Sequence, residues 1–116
     1  MIKRASEFDR EVIPSFCGGA GDTVIETGIH GGDAKSKVCA CCTVRLEKGC
    51  EVGIHDHPDD DEIYYVISGK GLYNDGDGKW VEVFPGDVTL CGNGGSHAMK
   101  NVEDENLVFL AVVVGY

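Results

Sequence analysis

The sequence is poor in positive charge. Ten Lys and Arg stand against twenty Asp and Glu, a net charge of −10. Such a surface repels nucleic-acid phosphates and anionic membranes, so neither is an expected partner. Long apolar runs are also missing. The longest, Leu107–Val114, has eight residues, far short of the ~20 that cross a bilayer as a helix. The charged stretch Met1–Arg10 has no apolar h-region and argues against a secretory leader. No Asn-x-Ser/Thr acceptor occurs, and the cytoplasm is the expected compartment. Helical periodicity beyond a turn or two, internal repeats and low-complexity tails are absent. The glycine-rich stretch Cys17–Asp22 lacks the spaced Gly, Lys and Ser/Thr of a phosphate-binding loop and reads as a flexible turn.

Six cysteines are present: Cys17, Cys39, Cys41, Cys42, Cys50 and Cys91. An even number suits a disulfide framework. Without an export signal, and with strands able to bury a core, free thiols are the better reading. Cys39, Cys41 and Cys42 fall in a strand pattern, where cysteine serves as a small apolar residue. A thiolate metal site ranks last.

What is there is a series of short strands. Val38–Leu46 alternates, with Val38, Ala40, Cys42, Val44 and Leu46 on one face. Further strands are expected at Thr23–Thr27, Glu51–His57, Glu62–Ser68, Lys70–Asn74, Lys79–Phe84, Val88–Cys91 and Ser96–Val102. Leu107–Val114 reads as a strand buried on both faces. Glu11–Phe16, with Pro14, reads as irregular, and Gly28–Lys37 as a loop with a surface His30. Asn74–Gly78 reads as a hairpin tip; the terminal Glu of a calcium loop is not at the required spacing. Such a chain, 116 residues long, predicts one all-β domain, an antiparallel sandwich or barrel.

Three of the four histidines, His55, His57 and His97, are the candidates for chemistry. Residues i and i+2 of a strand share a face, so His55 and His57 can point at one atom. Glu62 opens the next apolar run and can face back towards them. Three imidazoles and one carboxylate suit a first-row divalent metal. Asp59–Asp61 beside them reads as a solvated turn, and with Asp56 and Glu62 as an acidic rim that draws cations inward.

The glycines around these residues carry a resemblance. Gly49, five residues, His55-Asp56-His57, four residues, Glu62, six residues and Gly69 resemble the first cupin motif at every defined position. Gly86, five residues, Gly92-Asn93-Gly94, two residues, His97, three residues and Asn101 resemble the second. The departure is Gly92, where the family usually has proline. Sixteen residues separate Gly69 from Gly86, as in the minimal one-domain members.

The resemblance implies an antiparallel jelly-roll β-barrel over residues 1–116, with 1–22 as a possible N-terminal arm. It implies one divalent metal (Mn, Fe, Co, Ni or Zn) on His55, His57, Glu62 and His97, with one or two positions left for water or substrate. It also implies a small-molecule ligand and a homodimer. Either a metalloenzyme acting on a small oxygenated organic molecule, as a dioxygenase, decarboxylase or isomerase, or a non-enzymatic binding or sensor protein is compatible with it. By strand parity Tyr64 shares a face with Glu62 and is the candidate catalytic proton donor. Met99, on the face of His97, is the other expected pocket-wall residue, and Glu51 lies inward by the same parity.

Overall fold

The structure, a computed structural model, describes residues 1–116. Ten strands run in chain order: β1 Asp9–Pro14, β2 Asp22–His30, β3 Val38–Leu46, β4 Glu51–Asp56, β5 Asp60–Ser68, β6 Gly71–Asn74, β7 Trp80–Val83, β8 Val88–Cys91, β9 Ser96–Lys100 and β10 Leu107–Gly115. They form a six-stranded sheet ordered β1-β2-β3-β10-β5-β8 and a four-stranded sheet ordered β4-β9-β6-β7. All pairings are antiparallel. Two such sheets face to face, with strands exchanged between them along the chain, make a jelly roll.

The alternation in β3 explains its place. Cys42, Val44 and Leu46 point inward and are buried, while Cys41, Thr43 and Arg45 are half-buried on the outer face. β10 pairs with β3 on one side and β5 on the other. Its Leu107, Phe109 and Ala111 are buried. Val108, Leu110 and Val112 lie half-buried on the outer face, so this strand is covered on one face only. Leu46, Val66, Met99, Leu107 and Phe109 form the densest part of the core.

Three local expectations are corrected. Residues 9–14 form an edge strand on β2, not an irregular stretch; Pro14 ends that strand, where its missing N–H disturbs no ladder. β2 runs on through His30 because Gly28 is buried beneath the Phe8 ring, which a Cβ would strike, and a bulge between Thr27 and Ile29 absorbs the turn. The stretch after Ser15 is ordered, not a flexible turn. Ser15 and Cys17 are left-handed (φ 50° and 53°), and a 3-10 turn, Phe16–Gly18, lies against β4. Gly19 is required there, since a Cβ would collide with the Glu51 carbonyl.

All six cysteines are unpaired. Cys39 and Cys42 have two residues between them, the spacing of a CxxC pair, but three steps along a strand point opposite ways. Cys39 is exposed and Cys42 buried. No helix is long and apolar enough to cross a membrane.

Candidate metal centre

The four candidate side chains come from three strands and the turn after β4. His55 is on β4, with His57 just past its end; Glu62 is on β5 and His97 on β9. A bulge makes this possible. Val52 pairs with Met99, and His55 with His97, so three steps on β4 match two on β9. One extra residue lets Val52 face the core and His55 also face inward, whereas simple alternation would not. It corrects the parity reading of Glu51, which is only half-buried and lies outside the cavity described below. Gly53 at the bulge admits no Cβ, because the Cys17 carbonyl occupies that space.

Each imidazole is held by its Nδ1. His55 Nδ1 donates to the Gly53 carbonyl at 2.8 Å. His57 Nδ1 lies 2.6 Å from Asp60 Oδ1 and donates to it. His97 Nδ1 is 2.8 Å from the Tyr73 hydroxyl, which accepts in the tautomer that leaves Nε2 free. All three Nε2 lone pairs then face one point, the orientation that a carboxylate or carbonyl behind a ligating histidine enforces.

His97 Nε2 lies 3.0 Å from His55 Nε2 and 3.1 Å from His57 Nε2. Glu62 Oε1 is 3.0, 3.1 and 3.6 Å from the Nε2 atoms of His97, His57 and His55. All four donor atoms lie within 4.8 Å of one another. Four acceptors packed so closely, with their protons directed elsewhere, repel one another unless a cation lies between them. Bonds of about 2.1 Å give donor–donor edges of about 3.0 Å in an octahedral set and about 3.4 Å in a tetrahedral one, so the donor set fits a divalent metal.

The electrostatics agree. Burial alone would raise the Glu62 carboxyl; where protonated imidazoles stand in for a cation, hydrogen bonds from His55 and His97 with the charges of His97 and His57 bring it down to about 2. For His55, burial works against protonation and is outweighed by Glu62 and the Gly53 carbonyl, so its affinity for a proton is raised. For His97, burial prevails and the imidazole is held neutral. Tyr64 stacks on the His97 ring (centroids 4.8 Å, planes 22°), with its hydroxyl 3.5 Å from His97 Nε2. Burial, then the Glu62 charge, push its ionisation well above the ordinary tyrosine range. The Tyr73 phenol is pushed to about 12, chiefly by burial.

The cluster opens on a cavity of ≈ 180 Å³ lined by His55, His57, Glu62 and Tyr64 and otherwise by apolar or thiol side chains. Tyr64 is in that wall. Met99 is not; it is fully buried in the core, which corrects its assignment to the pocket. Asp60 is no solvated turn residue either: it opens β5 and orients His57. Asp61 accepts from the Tyr116 hydroxyl at 2.7 Å, and that hydroxyl in turn accepts from Asn93 N–H at 2.7 Å. The departure at Gly92 follows from this arrangement, because the Asp61 carboxylate fills the space of any Cβ there. In the sequence Tyr73 reads as an ordinary strand aromatic, and nothing local marks it as the partner of His97. Its role depends on β6 pairing with β9, which sets Tyr73 opposite Met99, two residues from His97.

The Cupin domain family model matches residues 42–113. An oxalate-binding protein of Thermotoga maritima is 33% identical over 114 residues, 98% of this chain and 93% of that protein. An oxalate decarboxylase of Bacillus subtilis is 35% identical over 81 residues, 66% of this chain and only 21% of that enzyme. Among solved structures, a predicted oxalate decarboxylase of Thermotoga maritima superposes with a TM-score of 0.93 at 33% identity, covering 100% of both chains.

Proposed function

We propose that this chain, which belongs to the cupin family, holds one divalent transition metal (Mn, Fe, Co, Ni or Zn) on His55, His57, Glu62 and His97 and uses it to anchor a small carboxylate. The observation that carries this reading is the convergence of four donors beside a small cavity of ≈ 180 Å³, three of them in its wall. That is smaller than the ~300–1,000 Å³ of sites for drug-sized ligands. Three neutral imidazoles and one carboxylate leave a divalent ion with a net charge near +1, so a carboxylate completes the site electrically. The oxalate-binding and oxalate-decarboxylating relatives support the same ligand chemistry. When bound, the metal would supply Lewis acidity and, for redox-active ions, a site for dioxygen.

The chain's own residues set the rest. Asp60, the Gly53 carbonyl and Tyr73 fix the imidazoles. Phe16 and Cys17 cover the cavity. Tyr64 keeps its proton at neutral pH, and its hydroxyl stands beside the cluster, where it can donate to a ligand oxygen. This hydroxyl favours a metalloenzyme, with Tyr64 as catalytic proton donor, over a purely binding protein. The test is calorimetry and turnover with oxalate on protein loaded with each metal. Metal-dependent oxalate binding, lost in His97→Ala, is the expected result. Oxalate turnover reduced in Tyr64→Phe with metal retained assigns the enzyme; binding without turnover assigns the binding protein.

A homodimer through the outer face of the six-stranded sheet is part of the proposal. Ile63, Tyr65, Ile67, Val88 and Leu90 are exposed there beside the half-buried Val108, Leu110 and Val112. A patch of this kind on a chain of charge −10 is where two copies can meet without repulsion. Sedimentation should give a dimer at micromolar concentration, and Leu90→Lys should give a monomer.

A further inference from the structure

The cavity beside the cluster has two chemically distinct ends. Its floor crosses four neighbouring strands of the six-stranded sheet: Glu62 and Tyr64 on β5, Ala111 on β10, Cys42 and Val44 on β3, and Ile25 on β2. Ala111 pairs with Tyr64 and Cys42, and Ile25 with Val44, the next residue on the same face of β3, so the lining runs diagonally across the sheet. Three strand spacings, about 14 Å, separate the β5 end from the β2 end. The charged and polar ring groups sit at the β5 end. Towards β2 the lining is Val44, Ile25 and, from the covering segment, Phe16.

No Lys or Arg lines this cavity. The nearby charges, Glu62 within and Asp60 and Asp61 at the β5 end, are all negative. A second, remote carboxylate on a ligand would therefore lose its hydration and find no partner. Cys17 and Cys42 add soft surface and no cation.

We infer that the site is built for a small acid with one polar head and a short apolar tail, of the 2-oxo monocarboxylate class. The head lies at the histidine cluster and the tail at Phe16, Ile25 and Val44. This rests on the carboxylate-anchoring reading and goes beyond it, since oxalate has no tail and leaves the β2 end unfilled.

The test is a ladder of ligands sharing one 2-oxo acid head on the zinc-loaded protein, measured by calorimetry: pyruvate, α-ketobutyrate and α-ketoisovalerate. The shared head cancels the metal's intrinsic preference. Affinity should rise about fourfold per added carbon, about sixteenfold over the series. α-Ketoglutarate, with its second carboxylate, should bind at least about tenfold more weakly than α-ketoisovalerate. Val44→Phe should collapse the ratio of α-ketoisovalerate to pyruvate affinity towards one; Ile25→Phe, at a half-buried position, serves if that variant does not fold. A flat or falling ladder on protein that still binds oxalate overturns this inference and leaves the carboxylate reading standing. Failure to bind any member, oxalate included, overturns both.

Discussion

The interior of this protein has two poles, and each holds buried polar groups in a different way. At one pole Asn101 is fully buried beside Leu46, which pairs with the equally buried Leu107. Its Nδ2 donates to the carbonyls of Leu46 and Glu105, both at 2.9 Å, and its Oδ1 accepts from Glu103 N–H at 2.9 Å. Both of its N–H donors and its Oδ1 have partners in the chain itself, and the pole is closed. At the other pole His55, His57 and His97 have their Nδ1 atoms satisfied from behind and, with Glu62, present lone pairs to one another. His97 is as buried as Asn101, and His55 and Glu62 are somewhat less so; what differs is whether the chain supplies the last partner. A polar cluster satisfied everywhere but at its centre is a binding site, and one satisfied throughout is structure.

The sharpest break of this comparison is a crossed pair of substitutions. Leu46→Ala, at the closed pole, should cost about 2–5 kcal/mol of folding stability while the folded fraction still binds one metal. His97→Ala should do the reverse, lowering metal affinity by more than the roughly hundredfold upper range of a supporting residue. Denaturant melts and competition with a chelating dye read the two effects separately.

Removing the metal comes next. Bound ion at about a thousand times its dissociation constant stabilises the fold by about 4 kcal/mol. Chelation should lower the Tm of the wild-type protein and leave that of His97→Ala unmoved. Equal Tm values for loaded and stripped wild type would mean that the second pole is as self-sufficient as the first.

A smaller effect tests the residues behind the imidazoles. Asp60→Asn and Tyr73→Phe should each weaken metal binding by roughly 10–100-fold with the fold intact. Asn101→Ala, by contrast, leaves two carbonyls and an N–H without partners. It should cost about 1–3 kcal/mol of stability, with metal affinity unchanged.

The smallest effect is in titration of the metal-free protein. His55 is raised above its ordinary 6.5 and His97 lowered below it, so NMR should find His55 protonating first as pH falls. The raised His55 contributes stability that is present below 6.5 and lost as pH rises through its folded value. The depressed His97 contributes stability above 6.5 that is lost on acidification, so the two act in opposite directions. Glu62, brought down to about 2 from 4.5, contributes stability that fades between those values. A reversed order of the two histidines would deny the hydrogen bonding drawn for the cluster.

Much of this was legible in the chain, because it is local. The spacing of His55, His57, Glu62 and His97 singled out the four side chains that come together, and alternation in β3 gave its inward face. The tip at Asn74–Gly78 is set by Asn74 Oδ1, which accepts from Gly76 and Gly78 N–H. What was not legible depends on partners distant in sequence. Met99 lies in the core and not in the pocket wall, and Tyr73 meets His97, because both positions follow from the pairing of β6 with β9. Asp60 reads as solvent-facing until His57 is placed above it. Residues 16–19 form a cover only because Gly53 and Gly19 let two backbones touch.

The bulge between Val52 and His55 has one more consequence. It works as a joint between two functions of one strand. Residues before it are in phase with the core, and residues after it are in phase with the cluster. A change in packing around Val52 is therefore not transmitted as a rotation of His55, whose ring is fixed by the carbonyl of Gly53 itself. The strand can accept new core residues on one side of the joint and new chemistry on the other, each without retuning its neighbour. Deleting Ile54 would remove that freedom, since every side chain beyond it would turn to the opposite face.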